Sequence, residues 1–441
     1  MNNYLPLGEK IRQIRMAKGL SQQNLAHAIK KSDNYISNLE TGQREITPEL
    51  LAGIRKFLEI ESAPLLDNEQ VIYRRNLDVL DDLLNANRLE DAKAKLKELS
   101  TVANLPYEHE LLFAYMMMEA RLLIKESKID ECDAKLDQAE LIINKVTSNK
   151  LLYQYHRNRG LICDFRNKTK EALGYHLQAL HLLGDEKPNL HLLSNIGAAY
   201  LNLGKCHHAI RYLERSLAEY SGDKTNPLIP FAQNILAICY MHTGSYDYAK
   251  KLFDESILYM RSVGSSPILA EILAHKGLFC HATKSYEEAI TYFDEAMGYL
   301  DGVINTMQES NPQYISFTHL YVKIAARKAM SLIKLGNITQ SNELINAARP
   351  RANGDELLSA LLDTASHQAN LLDPASAAYL EEVAIPYFRS SAANNIFTAL
   401  EICMELKAFY KRKKSKIKML SMSDIICEIY EEMFLDDSPI I

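Results

Sequence analysis

Apolar residues recur along most of the chain at spacings of three and four, the period of an α-helix with one buried face. In the first sixty residues this pattern is cut into short pieces. Leu7, Ile11 and Ile14 begin a first helix that Gly19 is placed to cap in the left-handed conformation. Ser21 offers an N-cap to a second helix carrying Leu25, Ala26 and Ile29 on one face. A third starts near Ser32, turns Ile36 and Leu39 inward and stops at Gly42. Thr47 followed by Pro48 opens a fourth, with Leu51, Ile54 and Leu58. Ala63-Pro64 then breaks the pattern. The expected division is a domain over 1–62, a linker over 63–70 and a second region over 71–441.

The second region repeats itself. NIGAAYLNLGKCHHAIRYLERSL (195–217) aligns with NILAICYMHTGSYDYAKKLFDESI (234–257), so that Tyr200 falls on Tyr240, Gly204 on Gly244, Ala209 on Ala249 and Leu213 on Phe253. The next copy, 276–297, repeats Tyr286, Ala289, Phe293 and Ala296, and a weaker one at 159–180 keeps Gly160, Ala172 and Ala179. Fainter pairs are read at Leu83, Asn87, Leu89, Ala92 and Leu96, at Leu123, Ile129, Cys132, Leu136 and Ala139, and at Leu332, Gly336 and Ile345. Residues 355–388 and 392–434 read as two further helical pairs without the signature. About nine helical hairpins are expected. Small residues let the two helices of a pair approach closely, and large ones fill the groove to the next pair.

Composition agrees. At 441 residues the chain is too long for one core, and 17 Gly with 13 Pro are too few for an all-β protein. Apolar residues at 47% and charged residues at 24% argue against disorder. A net charge of −6 makes coating of nucleic acid along the whole length unexpected, but leaves room for a local basic domain. The seven cysteines are scattered and form no C-x-x-C pair, so neither a disulfide framework nor a zinc ribbon is expected. The opening MNNYLPLGEKIRQIR lacks an apolar core for a secretory signal. Leu111 to Ile124 is interrupted by Glu119 and Arg121 and is too short to span a bilayer. A cytoplasmic protein without membrane partners is expected.

Chemistry-bearing motifs are missing: no G-x-G-x-x-G, P-loop, H-E-x-x-H or G-x-S-x-G occurs. Neither catalysis, nor a cofactor, nor a metal is expected. His207 and His208 are adjacent and so face different sides of a helix. The run Lys411-Arg412-Lys413-Lys414, with Lys416 and Lys418, reads as a solvated loop, with DNA or acidic lipid as the alternatives.

Ser21 to Gln43 resembles the helix-turn-helix of the phage-repressor-like, Xre-type family through Ser21-Gln22, Leu25-Ala26, Ser32, Ile36, Leu39-Glu40 and Gly42. Family members place a glycine and then an apolar residue in the turn, where this chain has Lys30 and Lys31. From Lys10 to Arg44 seven basic residues, including Arg12, Arg15 and Lys31, face two acids, an excess suited to phosphate attraction. Asp33, Asn34, Ser37 and Asn38 on the third helix have lengths that reach base edges. The resemblance implies that Gln22, Tyr35 and Arg44 contact phosphates of double-stranded operator DNA. A polar face that is merely solvated is the alternative.

The repeats resemble the tetratricopeptide repeat, with a small residue at position 8, an aromatic at 11, glycine at 15 and alanine at 20. The fold class implied is all-α: a helix-turn-helix domain followed by a right-handed tetratricopeptide superhelix. Cys163, Cys206 and Cys280 fall on its aromatic positions and read as small core residues. The combination resembles the RRNPP group of peptide-pheromone-sensing regulators, NprR- or PlcR-like. That resemblance implies a short re-imported signalling peptide on the concave face and a homodimer or tetramer rearranged by it. A Rap-like adaptor that binds or dephosphorylates a response regulator, and an AimR-type phage decision regulator, are the alternatives. Inner positions 2, 5, 9, 12 and 13 give the candidate peptide contacts: Gln154, Arg157, Asp164, His191, Asn202, Phe231, Asn234, Met241, His242, Glu271, Leu278, His281, Lys323 and Met330. Asparagine suits a peptide backbone because it both donates and accepts. The other reading of these polar side chains is solvation in a wide groove.

Overall fold

The computed structural model describes residues 7–44, 46–59, 67–100, 109–184, 187–220, 226, 228–264, 267–309, 311–390 and 395–434. Among them there are helices and turns but no strand. Four short helices come first: α1 (Leu7–Ala17), α2 (Gln22–Ala28), α3 (Asp33–Glu40) and α4 (Pro48–Phe57). The expected caps form. Ser21 and Asn24 make a reciprocal capping box, and the side chains of Ser32 and Thr47 accept from the backbone N–H groups of Tyr35 and Leu50. Ile11, Leu25, Ile36, Leu39, Ile54 and Leu58 are sealed from solvent, and each such side chain gains about 1.5–3 kcal/mol from burial. Gly8 brings α1 against the end of α3, since a Cβ there would lie 1.9 Å from the Leu39 carbonyl oxygen.

Nine helix pairs follow among the described residues, numbered here as hairpins one to nine. They are α5 (Asp67–Asn85) with α6 (Leu89–Leu99), α7 (His109–Lys125) with α8 (Ile129–Glu140), and α9 (Asn149–Phe165) with α10 (Thr169–Leu182). Next come α11 (Leu190–Asn202) with α12 (Cys206–Glu219), α13 (Ile229–His242) with α14 (Tyr246–Val263), and α15 (Pro267–Ala282) with α16 (Tyr286–Ile304). The seventh pair is α17 (Pro312–Lys334) with α18 (Ile338–Ala348). In the eighth, α19 (Glu356–Ala369) is followed by α20 (Pro374–Tyr379), which runs through a π-turn into α21 (Ile385–Arg389). The ninth is α22 (Ile396–Arg412) with α23 (Lys416–Phe434). Because α5 starts at Asp67, the expected linker 63–70 is partly helix; residues 60–66 lie outside the described residues.

Position 15 explains why the repeat was faint in places. A left-handed residue sits there in eight pairs: Asn87, Ser127, Asn167, Gly204, Gly244, Lys284, Gly336 and Lys414. The next residue closes a Schellman turn, as where the Lys205 N–H donates to the Tyr200 carbonyl at 2.8 Å and that of Ser285 to Cys280 at 2.8 Å. Glycine is the easiest residue there, but the geometry persists without it. Small position-8 residues work as expected: a Cβ on Gly197 would meet Leu213 at 2.5 Å, and one on Gly277 would meet Phe293 at 2.6 Å. Cys163, Cys206 and Cys280 are buried, as their register requires.

A polar contact also recurs between hairpins. The cation at position 7 reaches the aspartate at position 25 of the preceding pair: Arg159 to Asp137 at 2.6 Å, Lys276 to Asp254 at 2.7 Å, and Lys328 to Asp294. Two compact units result, with the break inside hairpin three. One comprises Met1–Phe165 with His181–Leu183, the other Arg166–Leu180 with Gly184–Ile441. Among the described residues no helix is long and apolar enough to cross a membrane.

Candidate DNA-binding helix and repeat inner face

The turn between α2 and α3 passes through Lys30 in the left-handed conformation (φ 55°), where the family has glycine. The Lys31 N–H donates to the Ala26 carbonyl at 2.9 Å, so α3 starts where a helix-turn-helix needs it. Asp33 and Asn34 are exposed on α3, with Ser37 and Asn38 half-buried beside them. Two cations lie over the Tyr35 ring, the Lys31 ammonium 5.3 Å and the Arg44 guanidinium 4.3 Å from its centroid. Positive charge is thereby held beside α3. Arg12 is exposed and pairs loosely with Glu9 at 3.4 Å.

Two expected phosphate contacts are turned inward instead. Arg15 is buried, donating to both carboxylate oxygens of Glu40 and to the Leu20 carbonyl at 2.6 Å. Gln22 donates from Nε2 to the same Glu40 carboxylate at 2.8 Å. A charge in an apolar interior needs a partner, and Glu40, itself buried, supplies it. Spacing held the clue: Arg15 follows Ile11 by four residues and so shares its buried face.

In the first unit, the α9 residues Gln154, Arg157 and Asp164 are all half-buried. Arg157 lies among Arg121 and Lys125, two residues missed on sequence. Arg121 donates to Asp81 and Asn85, and Lys125 to Asn87 at 3.2 Å. Burial and the cations Arg121 and Arg157 push Lys125 down; burial likewise pushes Arg157 down. The Arg157 Nε and Gln154 Oε1 are buried with no hydrogen-bond partner among the described residues.

In the second unit the inner positions differ in burial and in partner. His191 shares a hydrogen bond with Asn195 at 3.2 Å, and Asn202 is exposed at the end of α11. Phe231, Glu271 and Leu278 are half-buried, Lys323 is exposed, and Met241 and Met330 are buried. Asn234 is also buried, and its amide meets the His275 ring at 3.0 Å. An asparagine expected to face the peptide thus already has an internal partner. His281 bonds Ser331 at 2.8 Å and approaches Glu401 at 3.5 Å. His242 stacks on Phe397 with ring centroids 3.5 Å apart. Burial, reinforced by Arg327, pushes His242 down to about 4, and burial lowers His275 as well. His275 and Arg327 stand at position 6, which also faces inward and was left out of the sequence register.

Residues 11–65 match the Helix-turn-helix family. The control protein C.BamHI of Bacillus amyloliquefaciens is 37% identical over 67 residues, 15% of this chain and 83% of its own length. The apo form of the quorum sensor NprR from B. thuringiensis is 21% identical, with a TM-score of 0.62, covering 82% of this chain and 100% of its own. A Rap protein solved in complex with Competence and Sporulation Factor is 14% identical, with a TM-score of 0.68, covering 82% of this chain and 98% of its own. These two likenesses are of fold. The chain belongs to the helix-turn-helix family through its N-terminal domain, and its helical repeats have the fold of NprR and the Rap proteins.

Proposed function

We propose that this protein is a cytoplasmic, non-enzymatic quorum-sensing transcriptional regulator. Its N-terminal domain binds operator DNA through α3, and its repeats bind a short re-imported signalling peptide that rearranges a homodimer or tetramer. The observation that carries this reading is the joining, in one chain, of a helix-turn-helix domain to a repeat array with the fold of the quorum sensor NprR. Asp33, Asn34, Ser37 and Asn38 read bases, while Arg12, Lys31, Tyr35 and Arg44 hold the backbone.

Each unit offers candidate peptide contacts of its own. Around Arg157, Arg121 and Lys125 a peptide carboxylate would supply the partner that the buried Nε lacks. In the second unit Asn202 and His191 hold the peptide backbone, and Phe231 and Leu278 offer apolar contact. The test is calorimetry with synthetic heptapeptides bearing a free carboxyl terminus, on wild type, Asn202→Ala and Arg157→Ala. Each variant weakens binding at least tenfold, about 1.4 kcal/mol; unchanged affinity in both sinks the assignment.

A Rap-like adaptor is the second reading, favoured by the equally good fold match to a Rap protein. It predicts co-purification of a receiver-domain protein and no salt-dependent shift of operator fragments.

A further inference from the structure

The inner face of hairpins five to seven already has an occupant, and it is part of this chain. Three side chains of α22, at successive four-residue steps and hence on one helix face, meet it in order. Phe397 stacks on His242 of hairpin five. Glu401 accepts from Arg327 of hairpin seven at 2.6 Å and approaches His281 of hairpin six at 3.5 Å. Glu405 pairs with Lys334 of hairpin seven. At the far end, Met433 and Ile396 pack so closely on Gly204 of hairpin four that a Cβ there would meet Met433 at 2.9 Å. Hairpin nine therefore reaches back past its neighbours in sequence.

The two sides of α22 differ in chemistry. Ala399, Ile402, Cys403 and Leu406 are buried and apolar, a fixed packing surface. The opposite side holds the inner face through an aromatic stack and carboxylates on cations. Burial alone would raise the Glu401 carboxyl, but Arg327 and His281 outweigh it and hold it well below the usual range. Its side chain is still 36% exposed and that of Arg327 18%, so solvent reaches the pair. An incoming carboxylate could take the place of Glu401 without leaving Arg327 buried and unpaired.

We infer that α22 is an intramolecular latch whose Phe397, Glu401 and Glu405 occupy the inner face of hairpins five to seven, and that an acidic peptide ligand displaces it. The inference rests on the reading of the inner face as a peptide groove. Displacement links ligand arrival to a movement of hairpin nine, and so to whatever surface that hairpin presents.

Hydrogen–deuterium exchange on the full chain tests the latch without any ligand. In Glu401→Lys and in Arg327→Glu the amides of 396–412 exchange at least tenfold faster, while α7 and α8 keep their rates. The charge-swapped double variant returns toward wild type. Phe397→Leu, which retains every charge, gives a smaller acceleration at the same amides should either charge reversal misfold. Equal exchange in all variants, or acceleration spread evenly over the repeats, overturns the latch. A labelled heptapeptide pool with free carboxyl termini, and the same pool amidated, then probes displacement by anisotropy. Tighter binding of the acidic pool to Phe397→Leu than to wild type supports it, and equal binding to both overturns it. If exchange behaves as expected and neither pool binds any variant, the latch stands and the peptide reading fails.

Discussion

Arg15 and Glu40 form a two-pronged ion pair inside the N-terminal domain, Nε to Oε1 at 2.7 Å and Nη2 to Oε2 at 2.9 Å. The pair joins α1 to the end of α3 and, through Gln22, to the start of α2. It therefore fixes α3 against α1 and α2. Glu40→Gln leaves a buried guanidinium without its counter-charge and costs about 3–5 kcal/mol. Urea unfolding with exchange measured at α1 and α3 checks this. Loss below about 1 kcal/mol would mean that water already solvates the pair.

DNA readout separates two residues of the same domain. Asn38→Ala loses roughly 1–3 kcal/mol at the specific site. Arg12→Ala weakens all sequences alike and flattens the dependence of affinity on salt. Gel shifts at several salt concentrations distinguish them, and an Asn38→Ala protein with wild-type operator affinity excludes α3 as the reading helix.

Acid weakens the second unit. His242 and His275 are held neutral by burial, His242 down to about 4. Between the ordinary histidine range near 6.5 and pH 4, the unfolded chain binds protons that the folded chain refuses, so stability falls as pH falls. Above about pH 7 these two residues are neutral in both states and their contribution is flat. Thermal melts of wild type and His242→Phe across pH 7 to 4 check this, the variant falling less steeply.

Two glycines predict opposite signs. Gly277→Ala drives a methyl into Phe293 and destabilises by about 1–3 kcal/mol. Gly174→Ala, where a Cβ meets nothing within 4 Å in the middle of α10, stabilises by roughly 0.5–1 kcal/mol. Denaturant midpoints of the two variants should fall on either side of wild type.

Local chemistry made much of the molecule legible in advance. Ser21, Ser32 and Thr47 cap the helices they precede because a short side-chain oxygen meets free N–H groups wherever it stands. The small residues at position 8 and alanines at position 20 betrayed the helix pairs because close approach leaves no room for anything larger. Hairpins eight and nine lacked that signature but were found by their periodicity. What only the tertiary structure decided were the long-range partners. A lone sequence cannot say that Arg15 faces Glu40, that Asn234 meets His275, or that hairpin nine folds back onto hairpins five to seven. Charge and length make Arg15 equally fit for a phosphate or a buried carboxylate, and only the packing of α1 on α3 selects between them. Periodicity fixes which face of a helix is inward, while what stands opposite that face depends on how the successive pairs stack.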